Sequence, residues 1–273
     1  MSRIFTNKIY IIAEIGVNHN GNIKLAKKMV KEAKKTGANA VKFQTFKTNL
    51  LASPLTPKVK YQRSNTNKNE SHYNMLKSLE LSEKNHHVLI DFCKKEKIDF
   101  LSTPYDLQSA KFLNKIGCKV FKTASADIVD LELHTYLAKN KKKIIISTGM
   151  SNFQEIDECV NIYKKHSNKN FILLHCVSNY PCSFSSLNLN IIPEMQKRYN
   201  CRVGYSDHSI GSDAAILSFS LGARVIEKHF TTNKNLKGPD HKASSLPHEF
   251  KEMINKLRLA DIIMGKAIKK CQR

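Results

Sequence analysis

The chain of 273 residues lacks any run of about 18 consecutive apolar residues, which argues against a membrane-spanning helix. Its opening segment, Met1–Tyr10, has no long apolar stretch and does not resemble a signal peptide. The seven cysteines are odd in number and form no C-x-x-C pair, which argues against a disulfide framework and a zinc ribbon. We therefore expect a soluble cytoplasmic protein without a membrane partner.

Acidic residues are scarce, since 23 Asp and Glu stand against 45 Lys and Arg, for a formal net charge of +22. A basic field of this kind concentrates polyanions such as nucleic acids. The lysines, however, fall in small clusters at the solvent faces and ends of predicted helices, they form no stripe, and no recognition motif accompanies them. We expect no specific nucleic-acid partner. The nucleic-acid hypothesis predicts association that falls steeply as salt rises, and weak, sequence-blind binding alone would reflect charge rather than function.

Short β-branched runs, each ending near a polar residue, alternate with segments that have a helical period of about 3.6. Because the length is close to the roughly 250 residues of one such barrel, this pattern predicts an α/β fold, a (β/α)₈ TIM barrel, with residues 1–273 as one catalytic domain. The runs are Ile9–Glu14, Ala38–Gln44, Ile98–Thr103, Lys119–Ser125, Lys143–Ser147, Asn170–His175, Arg202–His208 and Val225–His229.

One connection is much longer than the others. The residues from Thr45 to Leu81 are polar, rich in Asn and contain Pro54 and Pro57. A connection of this length in a compact barrel is usually a functional lid or a disordered segment. Since it leaves from the carboxyl end of a strand, we expect it to cover the substrate, and simple disorder around residues 64–70 is the alternative.

Polar side chains two residues apart recur at the ends of three runs. Side chains at this spacing share one face of a strand, and filling a core with so many polar groups would be costly. In a barrel the carboxyl ends of all strands meet around one pocket. We therefore expect a shared cavity that receives three pairs of side chains: Lys42 with Gln44, Ser206 with His208, and Glu227 with His229.

The two imidazoles of His208 and His229 end neighbouring strands and so lie within reach of one divalent ion. Nitrogen and oxygen donors in this arrangement suit Mn²⁺, Fe²⁺, Co²⁺ or Zn²⁺. Glu227 is expected either to hydrogen-bond one of the metal ligands or to act as an ionic neighbour of the metal site. The sequence predicts a metal site on His208 and His229, although a lone histidine at either position would more often be structural.

A second group of strand-end residues combines lysines with small hydrogen-bond donors. Lysine acts as a point charge and hydroxyls add oriented hydrogen bonds, so the set suits a compact anion with phosphate and carboxylate groups. For the serines at 125 and 147, capping of the following helix is an equally good interpretation. The group comprises Lys42, Thr103, Lys122, Ser125, Ser147, Asn179 and Ser206.

Eight motifs in order along the chain resemble those of the sialic acid synthases, the NeuB-like enzymes that include N-acetylneuraminate and legionaminate synthases. The resemblance covers essentially the whole chain and corresponds to the barrel domain of that family. The motifs are Ala13–Gly21 (AEIGVNHNG), Val41–Thr45 (VKFQT), Phe121–Ile128 (FKTASADI), Ile146–Met150 (ISTGM), Leu174–Pro181 (LHCVSNYP), Gly204–Ser209 (GYSDHS), Glu227–Thr231 (EKHFT) and Gly238–Ser244 (GPDHKAS).

The resemblance implies condensation of phosphoenolpyruvate with an acetamido sugar such as N-acetylmannosamine, giving a nonulosonic acid and phosphate. It implies Mn²⁺, with Mg²⁺ and Co²⁺ as alternatives, on His208 and His229, and Glu14, Glu227 and His229 as catalytic residues. Glu14 is the leading candidate for proton handling. Phosphoenolpyruvate would be bound by Lys42, Thr103, Lys122, Ser125, Ser147, Asn179 and Ser206, and the sugar would face Gln44, Tyr180 and Asp240 as well as Glu14.

The resemblance also leaves alternatives open. The family usually continues into a small C-terminal antifreeze-like domain, which is absent from this sequence, and its members are homodimers, so we expect a homodimer here. Deoxy diacetamido sugars of the legionaminate branch are alternative substrates. A barrel that binds a ligand without catalysis is the alternative from another class of protein; it would bind metal and phosphoenolpyruvate yet release no phosphate.

Overall fold

The computed structural model describes residues 4, 6, 8–67, 69–265, 267 and 268. Eight parallel strands close into a barrel in chain order, which confirms the predicted (β/α)₈ fold. The strands are β1 (Tyr10–Gly16), β2 (Ala40–Thr45), β3 (Asp99–Pro104), β4 (Val120–Thr123), β5 (Lys143–Ser147), β6 (Phe171–Cys176), β7 (Arg202–Asp207) and β8 (Val225–His229).

Helices surround the barrel, and none in the described part of the chain is long and apolar enough to cross a membrane. The helices are α1 (Ile23–Thr36), α2 (Thr48–Leu51), α3 (Lys60–Asn65), α4 (His72–Leu79), α5 (Glu83–Glu96), α6 (Leu107–Lys115), α7 (Leu131–Lys139), α8 (Phe153–Lys165), α9 (Ile191–Tyr199), α10 (Asp213–Ser220) and α11 (Pro247–Met264).

Successive side chains along each strand point alternately out of the barrel and into it, and so they form two separate apolar cores. On β1, Ile11 and Ala13 pack outward against the helices, whereas Tyr10 and Ile12 fill the barrel interior. The next inward position after Ile12 is Glu14, which is buried at 2% exposure. The interior is therefore sealed by apolar side chains below and becomes polar at the carboxyl ends of the strands, where TIM barrels carry their sites.

Two predicted strands end earlier than the sequence suggested. The run Lys119–Ser125 is a strand only as far as Thr123, because Ser125 begins a 3₁₀ turn. The run Arg202–His208 leaves the ladder at Asp207, and the His208 carbonyl instead accepts a hydrogen bond from the Cys182 amide at 2.9 Å. Both corrections fall at the carboxyl ends, where the chain turns into loops.

The long connection after β2 contains three short helices, α2, α3 and α4, where the sequence predicted none; we call residues 46–82 the β2 excursion. The buried ammonium of Lys58 donates to Thr66 Oγ1 at 3.0 Å and to the Asn67 carbonyl at 2.8 Å. Asn65 Nδ2 donates to the Pro239 carbonyl at 2.8 Å. The Lys58 contacts hold the β2 excursion together, and the Asn65 contact ties it to the loop after β8.

Candidate active site

A cavity of about 300 Å³ opens at the carboxyl ends of the strands, and the β2 excursion forms part of its wall. The long connection therefore lines this cavity, and its covering of a substrate stays a prediction. Twelve of the candidate residues also line it: Glu14, Lys42, Gln44, Lys122, Ser125, Ser147, Tyr180, Ser206, His208, Glu227, His229 and Asp240.

Two candidates lie elsewhere. Thr103 is buried behind the cavity lining, where its hydroxyl accepts a hydrogen bond from Lys42 Nζ at 3.1 Å. Asn179 is exposed and borders a separate surface depression beside Met150 and Met195. Because Asn179 follows the end of β6 by three residues, strand alternation does not control where its side chain points. The structure does not bring it into the cavity.

Two buried lysines form the floor of the cavity. Lys122 Nζ donates to Ser147 Oγ at 2.6 Å and to the Thr123 carbonyl at 3.0 Å. Each of Lys42 and Lys122 lies 3.7 Å from the same oxygen, Glu227 Oε1. Burial and the neighbouring charge of Lys42 lower the pKa of Lys122, against the attraction of Glu227. The floor therefore holds two ammonium groups close together, an arrangement suited to an anion with more than one negative charge.

Glu14 and Glu227 are both buried but differ in charge state. Burial raises the pKa of Glu14 to about 7, partly offset by Lys42 Nζ at 2.9 Å from its Oε2. Burial also favours the neutral form of Glu227, but Lys122, Lys42 and a hydrogen bond from Ser206 Oγ at 3.1 Å lower its pKa to about 2. Glu227 is thus a fixed anion, while Glu14 can gain or lose a proton near neutral pH.

Three rings pack together on the side of the cavity formed by β6, β7 and β8. The ring centroids of Tyr180 and His208 are 4.1 Å apart, and those of His208 and His229 are 5.6 Å apart. In its neutral form His208 donates from Nδ1 to the Val177 carbonyl at 2.8 Å, which leaves Nε2 as the acceptor nitrogen. Burial opposes a charge on this ring, but Cys176 and the Val177 carbonyl raise the pKa of His208. Burial and the neighbouring His208 hold the pKa of His229 well below its ordinary value, so His229 is a neutral imidazole.

These donors fit a divalent metal ion. His229 Nδ1 and Glu227 Oε2 are buried and have no hydrogen-bond partner among the described residues, and such orphaned atoms require a ligand, an ion or water. Neutral imidazole is the form that binds metals. No group of three or more His, Cys, Asp and Glu side chains converges within the described ranges. His208 and His229 would therefore share the ion with oxygen donors from substrate or water.

Sequence reasoning missed Cys176, which also lines the cavity. Its thiol lies 3.7 Å from His208 Nδ1 and 3.6 Å from the hydroxyl of Ser125. Ser125 Oγ in turn accepts a hydrogen bond from the Gly149 amide at 3.1 Å, and a Cβ at Gly149 would lie 2.7 Å from that oxygen. Cys176 is two residues beyond the inward-facing Leu174, so alternation along β6 was the signal that would have found it.

Asp240 reaches the cavity from the loop after β8. Ser244 Oγ donates to the Asp240 carbonyl at 2.7 Å, and Asn18 Nδ2 donates to Ser244 Oγ at 2.9 Å and to the Phe230 carbonyl at 2.9 Å. Burial raises the pKa of Asp240 to about 6. The loop after β1 therefore supports the segment that brings this carboxyl to the cavity.

Comparison with known proteins agrees with this arrangement. The model of the NeuB family matches residues 29–269. The chain is 45% identical to N,N'-diacetyllegionaminic acid synthase from Campylobacter jejuni, over 97% of this chain and 80% of that protein. It is 42% identical to the synthase of the same name from Legionella pneumophila, over 96% of this chain and 74% of that protein.

A solved structure is similar over nearly the whole chain. N-acetylneuraminic acid synthetase from Leptospira borgpetersenii superposes with a TM-score of 0.85 at 33% identity, covering 97% of this chain and 88% of that one. The barrel fold is therefore shared with a solved N-acetylneuraminic acid synthetase.

Proposed function

This chain belongs to the NeuB family, and from that premise we propose that it condenses phosphoenolpyruvate with the open-chain aldehyde of a 2-acetamido hexose such as N-acetylmannosamine. The products are a 2-keto-3-deoxy sugar acid and phosphate. The observation that carries the proposal is one cavity lined both by two buried ammonium groups and by two imidazoles. The chemistry needs an anion site and a carbonyl site side by side.

Phosphoenolpyruvate suits the floor of the cavity. Its phosphate and carboxylate need cations in a site that excludes water, where electrostatic attraction is strong. Lys42 and Lys122 supply the charge, and the hydroxyls of Ser125, Ser147 and Ser206 supply oriented donors around it. Thr103 acts through Lys42, whose ammonium it holds. On this proposal Asn179 reaches the ligand only if its loop moves, since its side chain is exposed.

The imidazoles suit the aldehyde. A divalent ion on His208 and His229, Mn²⁺ on this proposal, would polarise the aldehyde oxygen as a Lewis acid. Tyr180 packs against His208 and limits where the sugar lies. Gln44 and Asp240 line the cavity within the same mouth and are proposed to bind sugar hydroxyls.

Glu14 is suited to the later proton transfer. After the new C–C bond forms, water adds to the cationic carbon that bears the phosphate, and phosphate then leaves with cleavage of its bond to carbon. The water must lose a proton as it adds. Glu14, with a pKa of about 7 beside the fixed anion Glu227, can accept it at neutral pH.

The test of the proposal is phosphate release from phosphoenolpyruvate by the purified protein with Mn²⁺ and an acetamido sugar. We expect release that requires both the sugar and the metal ion, and that stops when the ion is chelated. Binding of metal and phosphoenolpyruvate with no phosphate release from N-acetylmannosamine or from a diacetamido sugar would instead indicate a ligand-binding barrel.

Glu14→Gln keeps the shape of the side chain and removes its titration. We expect kcat to fall by about 10² to 10⁴, the usual contribution of a general base. In the wild type, kcat/KM falls as pH drops through about 7, because protonated Glu14 cannot accept the proton. The pH profile of the variant lacks this step, and comparing the two profiles cancels the ionisation of the substrate itself.

The control for this variant is Glu158→Gln, which alters an exposed carboxyl on α8. It should leave both the rate and the pH profile unchanged. Retention of the step near pH 7 in Glu14→Gln would assign the titration to another group and remove Glu14 from the proton transfer.

We further propose that residues 1–273 act as one catalytic domain and as a homodimer in the cytoplasm. The proposal rests on membership of the family, in which the barrel carries the reacting groups, and sedimentation equilibrium of the purified protein tests it. A monomer at all concentrations that still releases phosphate would show that the barrel needs no second copy.

A further inference from the structure

Two groups of lysines that are separate in the sequence meet at the end of the barrel opposite the proposed active site. A depression of about 940 Å³ lies where the amino ends of β3, β4 and β5 come together, and we call it the basal depression. Its volume is within the range of roughly 300–1,000 Å³ for small-molecule sites. The lysines that line it include Lys94, Lys97, Lys141, Lys142 and Lys143.

The ends of the neighbouring helices do not account for this charge. The carboxyl ends of α5, α6 and α7 lie beside the basal depression, and each carries about half a unit of negative charge, which favours nearby lysines. The lysines exceed that charge. Lys94 Nζ lies 3.1 Å from Asp91. Asp99 is the one carboxylate among the described residues lining the depression, and it accepts a hydrogen bond from the Tyr10 hydroxyl at 2.6 Å. The excess of positive charge favours an anion with several charges.

The floor of the basal depression is apolar. The lysines around it are exposed or half-buried, whereas the floor consists of Ile90, Ile98, Phe100, Leu101 and Val120. The ring of Phe100 is only partly buried, and its centroid lies 5.6 Å from that of Phe43. A planar ring would cover this surface, which a purely charged ligand would leave in contact with water. The amides of Asn114 and Asn140 also line the depression and can hydrogen-bond the edge of such a ring.

The basal depression reaches the barrel interior at the junction of β3 and β4. In the described part of the chain these two strands are in register at one position, whereas β2 pairs with β3 along the whole of β3. Leu101 and Val120 on the floor belong to the interior core. Thr103 and Lys122 lie two residues further along the same strands and share their inward face. A ligand on the floor therefore contacts the strands just below two residues of the proposed phosphoenolpyruvate site.

We propose that the basal depression binds a nucleotide, with its phosphates on the lysines and its base on the apolar floor, and that the bound nucleotide tightens phosphoenolpyruvate binding. By packing on Leu101 and Val120 it supports the weakly paired junction of β3 and β4 and so holds Lys122 in position. Couplings between two sites usually begin at about fivefold in affinity. The effector role rests on the proposed function, whereas nucleotide binding does not.

The probe for the site is ADP, titrated calorimetrically into the purified protein without divalent ions. We expect saturable binding, with inorganic pyrophosphate, which has the charges but no base, at least tenfold weaker. The double variant Lys94→Gln/Lys142→Gln removes one lysine from each group and should weaken ADP binding at least tenfold. The matched control is Lys24→Gln/Lys28→Gln on α1, which lowers the net charge equally at exposed positions outside the depression and should bind ADP as the wild type does.

ADP that binds no more tightly than pyrophosphate would overturn the nucleotide site. Equal weakening by the two double variants would also overturn it, because it would show only a general attraction of anions to a basic protein.

The effector role is tested by titrating phosphoenolpyruvate with and without saturating ADP, in the absence of sugar so that no turnover occurs. We expect ADP to lower the Kd for phosphoenolpyruvate about fivefold, and phosphoenolpyruvate to lower the Kd for ADP by the same factor. A raised Kd would place ADP in the active site and overturn the proposal, and an unchanged Kd would overturn the effector role. If ADP binds as expected but phosphoenolpyruvate does not bind at all, the proposed function fails while the nucleotide site stands.

Discussion

Replacing His208 by alanine is expected to reduce phosphate release about a thousandfold and to weaken Mn²⁺ binding about 100-fold or more. Within the described residues only two imidazoles are available at the proposed metal site, and no third side chain of a metal-binding type converges on them. The loss of one therefore removes half of the ligands that the protein itself supplies. Several kcal/mol of carbonyl polarisation would be lost with the ion.

Metal binding is measured directly by the electron paramagnetic resonance signal of free Mn²⁺, without any turnover. The control is His248→Ala, because His248 is an exposed histidine on α11. It should match the wild type in both assays. A His208→Ala protein that binds Mn²⁺ as tightly as the wild type would place the ion elsewhere, even if its activity were lost.

Replacing Lys122 by methionine is expected to lower kcat/KM for phosphoenolpyruvate by about 10² to 10³. Truncating one partner of a buried charge pair costs about 2–5 kcal/mol, at about 1.4 kcal/mol per tenfold change. The change removes one of two cations on the cavity floor and leaves Glu227 paired with Lys42 alone. The methionine keeps the length of the side chain, so packing around Ser147 is altered little.

The control is a second lysine, which immediately precedes β4 and lies outside the cavity. Lys119 lies at the amino end of β4, is exposed, and does not line the active-site cavity. Lys119→Met lowers the net charge by the same amount and should leave KM for phosphoenolpyruvate unchanged. Equal effects of the two variants would mean that the general basic field, rather than the cavity floor, attracts the substrate; salt dependence would then be steep for both.

Alternation along strands was enough to predict where the inward-facing candidates lie. Lys42, Gln44 and Glu227 lie on strands, where every second side chain points to the same side, and they line the cavity as expected. The same rule, applied to β6, would have identified Cys176. The fold itself was predictable because eight runs of similar length recur with helices between them, although the strand ends shifted where 3₁₀ turns begin.

Residues outside the strands were less predictable. Asn179 lies on a loop, where no short periodicity controls its direction, and it points to the surface. The helices of the β2 excursion depend on tertiary contacts, such as the buried Lys58 ammonium, that local sequence does not reveal. Likewise, the different pKa values of Glu14 and Glu227 arise from burial and from charged groups on other strands, because Lys122 and Lys42 together outweigh the burial of Glu227, whereas burial prevails at Glu14.

Val17, Phe46, Met75 and Leu79 form a hydrophobic cluster that is separate from the two cores of the barrel and packs the β2 excursion against the loop after β1. Because stability is not uniform across a structure, a separate cluster of this kind can loosen without unfolding the barrel. The excursion that lines the cavity and the strands that carry Lys42 and Lys122 are thus held by different cores. Substitutions in that wall can therefore accumulate while the two lysines stay in place.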